Sequence, residues 1–222
     1  MALKDRILVI SSMIILIISF PRGTFGQAQS NGTPAARALA LQGLLDSVEG
    51  VAEEPPRIFK TKEGYLRFVG SPPSTHFPVD PNRRATPHKA ADAFLAKNRN
   101  LFVNESSAVG FDTVRVKSRN GRTYVRYQQR YAGLEVFGAE MIVQVNVAGG
   151  IAAVMSDIMR DTEALDLGEV SLNPGIDALT GERKAIELLA TQYEQLQLEA
   201  TTTTLMIYHP SVVGNSGATQ LV

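Results

Sequence analysis

Residues 123–146, TYVRYQQRYAGLEVFGAEMIVQVN, leave the chain little choice of local structure. Val125, Tyr127, Gln129 and Tyr131 alternate with Tyr124, Arg126, Gln128 and Arg130, the period of two expected of a strand with two different faces. Ala132-Gly133 interrupts the run. A second strand begins near Val136 and places Met141, Val143, Val145 and Val147 on one face. The wet side of the hairpin mixes aromatics, arginines and glutamines, a combination that suits a surface meeting a partner. An ordinary amphipathic hairpin has the same period.

The remaining elements follow from local signals. An Ala/Leu-rich helix spans about 34–48, with Leu41, Leu44, Leu45 and Val48 at helical spacing, and Glu53-Glu54-Pro55-Pro56 stops it. Short strands are expected at 57–60 and 65–69, joined through Glu63-Gly64. The five prolines between 70 and 87 make that stretch an irregular connection. Thr86 then caps a helix that has Pro87 at its first position, with Ala91, Phe94, Leu95, Leu101 and Phe102 forming one buried face. Lys89 occupies the place where a capping box needs Glu. A strand at 114–117 and the Asn120-Gly121 hairpin signal lead into the central stretch, and Ala148-Gly149-Gly150 turns the chain into a strand at 151–155.

Residues 161–170 read as an acidic linker carrying Asp161, Glu163, Asp166 and Glu169. Carboxylates so spaced could hold Ca²⁺, but no glycine shapes them into an EF-hand loop, so a solvated linker is the reading. A second unit follows: a helix over about 180–196 with Ala185, Ile186, Leu189 and Tyr193 inward, then a strand at 205–208. A loop at 214–217 and a last strand at 219–222 complete the list. That strand stops in mid-element, so the sequence is read as incomplete at its C-terminus. The fold class expected is α+β, two small modules that each pack a helix on an antiparallel sheet, after a cleaved signal peptide.

The signal peptide is assigned to residues 1–28. Lys4 and Arg6 precede an apolar run over 7–20, and Gly23, Gly26 and Ala28 supply a small-residue exit with cleavage near 26–28. The run is shorter than the roughly 20 residues of a spanning helix, although an uncleaved anchor is the alternative. The chain has no cysteine, which excludes disulfides, thiolate zinc sites, a cysteine nucleophile and a lipid-modified cysteine. An exported chain without cysteine fits a bacterial exoprotein better than a disulfide-stapled animal domain. Lys+Arg and Asp+Glu are both 22, so charge gives no case for nucleic acid. Asn31-Gly32-Thr33 and Asn104-Glu105-Ser106 match the short glycosylation pattern, which arises often by chance.

The sequence carries no recognisable catalytic constellation. His76, His88 and His209 are scattered without HExxH spacing, and His209, before Pro210, reads as a surface histidine. G-x-S-x-G, Walker and G-x-G-x-x-G patterns are absent. Glu135 and Glu140 flank the central turn without an evident basic or nucleophilic counterpart. The chain is therefore expected not to be an enzyme.

The central stretch resembles the propeptides of thermolysin-type and fungalysin-type metallopeptidases. The residues that carry the likeness are Val125, Arg126, Tyr127, Gln128, Gln129 and Tyr131, then Gly133, Val136, Phe137, Gly138 and Ala139. Glu135 stands where the family commonly has proline. The helix over Ala91–Phe102 is similar to the one that precedes the motif, and residues from 172 onward resemble the PepSY module that follows it. The resemblance divides the chain into a signal peptide (1–28), an N-terminal lead and helix (29–54), a propeptide-like module (55–160), the acidic linker (161–170) and a truncated PepSY-like module (171–222).

The same likeness implies a secreted pro-region that assists folding of a zinc metallopeptidase and inhibits it until cleavage. The partner would be that catalytic domain, in cis or in trans. Membrane contact would occur only through the signal peptide during export, and nucleic acid is not expected. This chain needs no cofactor, zinc and calcium belonging to the peptidase domain. Partner-facing or turn-defining roles fall to Arg126, Tyr127, Gln128, Gln129, Tyr131, Gly133, Val136, Phe137 and Gly138. In a second reading Tyr127, Val136 and Phe137 are core and the glutamines pin the turn. The rival function is a free-standing secreted PepSY-type inhibitor or binding module acting in trans, and a third is a PepSY protein anchored by its uncleaved N-terminal helix.

Overall fold

The computed structural model describes residues 8–10, 14–17, 33–51, 53–83, 85–191 and 198–213. In chain order the first elements are β1 (Leu8–Ile10), β2 (Ile14–Ile17), α1 (Pro34–Asp46), β3 (Arg57–Lys60), β4 (Leu66–Gly70) and α2 (Pro87–Lys97). The middle of the chain is a run of strands, β5 (Val109–Arg119), β6 (Arg122–Tyr131), β7 (Leu134–Asn146) and β8 (Ile151–Asp157). Then come α3 (Glu163–Asp166), α4 (Ala178–Ala190), β9 (Leu198–Ala200) and β10 (Leu205–Tyr208). Helices with a mostly antiparallel sheet make this the α+β class that the sequence implies.

Six strands lie side by side in the order β3-β4-β8-β7-β6-β5, each pair antiparallel. One register row, Ile58–Val69–Val154–Val143–Val125–Val116, faces α2, and its four central valines are fully buried. β-branched side chains fill a pleated surface well, which is why valine recurs there. Helix α2 covers β6, β7 and β8 with Ala90, Ala91 and Phe94. It begins as its sequence requires, with Thr86 Oγ1 accepting from Lys89 N at 3.2 Å and Pro87 in the first turn. Leu101 and Phe102, in and just after a short 3₁₀ turn, complete the buried face.

Both hairpin turns have the backbone that a right-twisted ribbon needs. Asn120 and Gly121 sit at φ 51° and 71°, Ala132 and Gly133 at 47° and 85°, so both central residues are left-handed as in a type I′ turn. Ala132 accepts that geometry despite its Cβ, at about 1 kcal/mol. Its N–H is taken by Ala108 O at 2.8 Å.

Several expectations change. β5 begins at Val109 rather than 114 and runs past the end of α2, leaving Val114 and Val116 half exposed. Val147 lies in the turn after β7, 87% exposed, and does not share the face of Met141, Val143 and Val145. The 161–170 stretch is not a solvated linker: it contains α3, with Thr162 and Leu165 buried. β10 does not build a sheet of its own. It adds in parallel to β7, Met206 opposite Glu135 and Ile207 opposite Val136, on the edge that β8 leaves free. In α4 Ala185, Ile186 and Leu189 are half-buried, while Tyr193, the loop at 214–217 and the strand at 219–222 lie outside the described residues.

The apolar lead was expected outside the fold, yet β1 pairs with β9 and β2 with β10, both in parallel. A run of isoleucines suits an open strand edge as well as it suits an export signal. Among the described residues no helix is long and apolar enough to cross a membrane.

Candidate partner-binding site

Strand β6 works as an axle. Beyond Val125, its inward side chains are long, nearly dry and polar at the tip, and each fastens a different segment. The Tyr127 hydroxyl donates to Asp92 Oδ1 on α2 at 2.7 Å. Gln129, fully buried, holds the backbone of Met159 from both sides: Nε2 donates to the carbonyl at 2.7 Å and Oε1 accepts from the amide at 2.8 Å. The Tyr131 hydroxyl donates to Asp166 of α3 at 2.9 Å. Burial, with the adjoining carboxylate, raises both phenols, Tyr127 strongly and Tyr131 to about 12, so both remain neutral donors.

The anchored elements have their own supports. His88 Nε2 lies 2.7 Å from Thr113 Oγ1 and 3.3 Å from Asp92 Oδ2, joining α2 to β5. Asp166 also accepts from Ser106 Oγ and Thr162 Oγ1, both at 2.6 Å. Arg160 reaches Leu66 O at 3.0 Å and Ser156 O at 2.7 Å, and burial beside Arg67 lowers its pKa to about 10.

The outward side of β6 faces a break in the ladder. Gln128 pairs with Glu140 and Arg130 with Glu135, so Val136–Ala139 loop out opposite the single residue Gln129. Gln128 Nε2 points into that excursion and donates to Val136 O at 2.6 Å and Ala139 O at 3.2 Å. It supplies donors that the interrupted ladder withholds. Gly138, at φ 69°, makes the bend. Arg126 lies 3.3 Å from Glu140, and Arg130 pairs with Glu135 at 2.8 Å and with Asp112. Sequence spacing did not reveal these counterparts of Glu135 and Glu140, because they face each other only across the register.

Of the excursion's side chains, Val136 is fully buried and Phe137 half-buried, stacked on Tyr208 at 6.3 Å between ring centres. β10 therefore docks where the excursion begins. His209, at the end of that strand, is buried rather than superficial, and burial lowers its pKa. The signal for this missed joint was the aromatic pair Phe137 and Tyr208.

Beside the Tyr127–Asp92 bond, α2 and β5–β7 line a half-open cleft of about 200 Å³, smaller than most ligand sites. Among the described residues no cluster of three His, Cys, Asp or Glu side chains could hold a metal ion. The face turned away from α2 is different. A register row there runs Phe59–Phe68–Met155–Ile142–Arg126–Arg115, apolar over β3, β4, β8 and β7 and basic over β6 and β5. Phe59 is 64% exposed and Met155 46%. The row is apolar at one end and carries guanidinium groups at the other, a composition that suits a surface meeting another protein.

Residues 112–158 match the Fungalysin/Thermolysin Propeptide Motif. The match runs from within β5 to the residue after β8, and so includes all of β5 but its first residues, the axle strand, both type I′ turns, the Val136–Ala139 excursion and most of the exposed row. No curated protein matches the chain. A propeptide motif is not itself catalytic. It supports a pro-region of a thermolysin/fungalysin-type peptidase, associated with a peptidase catalytic domain.

Proposed function

We propose that the chain is the pro-region of a secreted thermolysin-like zinc metallopeptidase, assisting the folding of the catalytic domain and blocking it until cleavage. The observation that carries this reading is the propeptide motif at 112–158. The N-terminal basic and apolar segments then serve as the export signal, and residues from 171 form the PepSY-like module. The Phe59–Met155 side of the sheet, exposed among the described residues, is the surface offered to the peptidase, while Gln128, Gln129, Gly133 and Gly138 define the backbone behind it.

The physics supports the arrangement. Secreted proteases depend on kinetic stability, so a covalent template that lowers the folding barrier and then leaves is useful. A tether gives an effective concentration of about 1 mM. Against a Kd of about 1 μM, that biases the closed state by roughly 4 kcal/mol. One cut removes the bias.

The test starts with the reading frame, in which a zinc HExxH domain is expected downstream of this segment. The pro-region is then co-expressed with that domain in trans. Active enzyme should appear with the pro-region and fail to appear without it, and the purified pro-region should inhibit the mature enzyme. Phe59→Ser with Met155→Ser should weaken inhibition about tenfold with folding intact. Equal yields of active enzyme with and without the pro-region, together with no inhibition, refute the assignment.

A further inference from the structure

We propose that residues 173–177 are the site at which an endopeptidase first cuts this chain, separating the propeptide-motif strands from α4 and β10. The inference deepens the pro-region reading and rests on it only for its consequence. The reaction is plain hydrolysis. Water adds across one peptide bond, its hydroxyl to the carbonyl carbon and its proton to the departing amine.

The segment joins two fixed ends. Upstream, Asp166 is held by Tyr131, Ser106 and Thr162, and Val170 and Leu172 pack against the core. Downstream, Asp177 Oδ1 accepts from Thr180 N at 2.7 Å and caps α4. Between them, residues 173–177 are all exposed and belong to no helix or strand. Among the described residues, no backbone N–H of 170–176 donates to a backbone carbonyl, and the Asn173 amide has only Ser171 Oγ, at 3.1 Å. Opening this segment into an extended strand therefore breaks almost nothing.

The side chains suit the same end. Ile176 is 40% exposed and Leu179 66%, aliphatic groups available to a protease specificity pocket. The segment holds one proline, Pro174, and leaves the bonds from Gly175 to Asp177 free of it. Two other exposed connections are more constrained. Pro55-Pro56 stiffens the first. Pro81–Arg83 is wound into a 3₁₀ turn, closed by Arg83 N donating to Asp80 O at 2.8 Å.

Cutting at 173–177 ends the covalent route from the motif to the C-terminal part. What still joins β10 to the motif is non-covalent: its short pairing with β7, the Phe137–Tyr208 stack, and Ile207 and Val212 against the shared core. Dismantling the inhibitor would thus begin at this segment.

The test digests the full chain with catalytic amounts of proteinase K and, separately, thermolysin, reagents of unrelated mechanism. Fragment ends are mapped by mass spectrometry while most of the chain is intact. Both enzymes are expected to cut first between 172 and 179. Ile176→Pro should slow that cut at least about tenfold without moving the thermal midpoint. Gly175→Pro, at a position with open space around an added Cβ, is the second variant and should behave alike. A first cut anywhere outside 172–179, or an unchanged rate in both variants, overturns the proposal. Neither reagent is the chain's own peptidase, so this assay and the co-expression assay can fail independently.

Discussion

Replacing Gln129 tests whether the central strand is an axle or a contact surface. Its amide is fully buried and satisfies both the N–H and the C=O of Met159, itself fully buried. Gln129→Leu keeps the volume roughly and removes both partners. Two buried backbone groups left bare cost about 1–3 kcal/mol each, so the variant should lose about 4 kcal/mol. In a domain of this size that is a fall in Tm of about 8–16 °C. Gln129→Glu separates hydrogen bonding from shape. To donate to the Met159 carbonyl the new carboxyl must stay protonated, so burial raises its folded pKa above the ordinary value near 4.3.

The sign then follows. A raised folded pKa gives stability that is full below the unfolded pKa and lost as pH rises through the folded one. Urea denaturation of wild type and both variants at pH 4.5 and 8 reads both effects. Gln129→Glu should approach wild type at pH 4.5 and fall toward Gln129→Leu at pH 8. A cost under about 0.5 kcal/mol for the leucine variant, or a glutamate variant indifferent to pH relative to wild type, refutes the reasoning.

Other outcomes follow from neighbouring geometry. Tyr131→Phe should cost about 1 kcal/mol, whereas Asp166→Ala, which strands three donors, should cost about 2–3 and unlock α3, as read by amide hydrogen exchange. Because burial lowers the pKa of His209 from 6.5, its neutral form contributes stability above pH 6.5 that is lost as pH falls through the lowered value. Denaturation of His209→Gln between pH 7 and 5 should be flatter than wild type. Gly138→Ala should cost only the left-handed backbone term of about 1 kcal/mol, since its new Cβ lies 3.8 Å from its nearest neighbours. Gly150→Ala should cost more, its Cβ falling 2.0 Å from the His76 ring, and comparing the two midpoints by calorimetry checks the order.

The sequence by itself determined much of what depends on near neighbours along the chain. The Thr86-Pro87 helix start, the Asn120-Gly121 and Ala132-Gly133 turns and the alternation of β6 are fixed by local sterics and period, and each occurs where the residues place it. The part of the likeness to metallopeptidase propeptides that the motif match at 112–158 supports was legible for the same reason, being a local pattern. Tertiary structure decided the partners. Which glutamine fills the bulge and which clamps Met159, and whether Glu135 meets Arg130, depend on register and on chain far away. The acidic stretch became an anchored turn because Asp166 found Tyr131, thirty-five residues away in sequence, and strand β10 joined β7 rather than a sheet of its own. Period and propensity describe a segment's own conformation, whereas a buried polar tip and an open strand edge are satisfied by whichever group the fold brings to them.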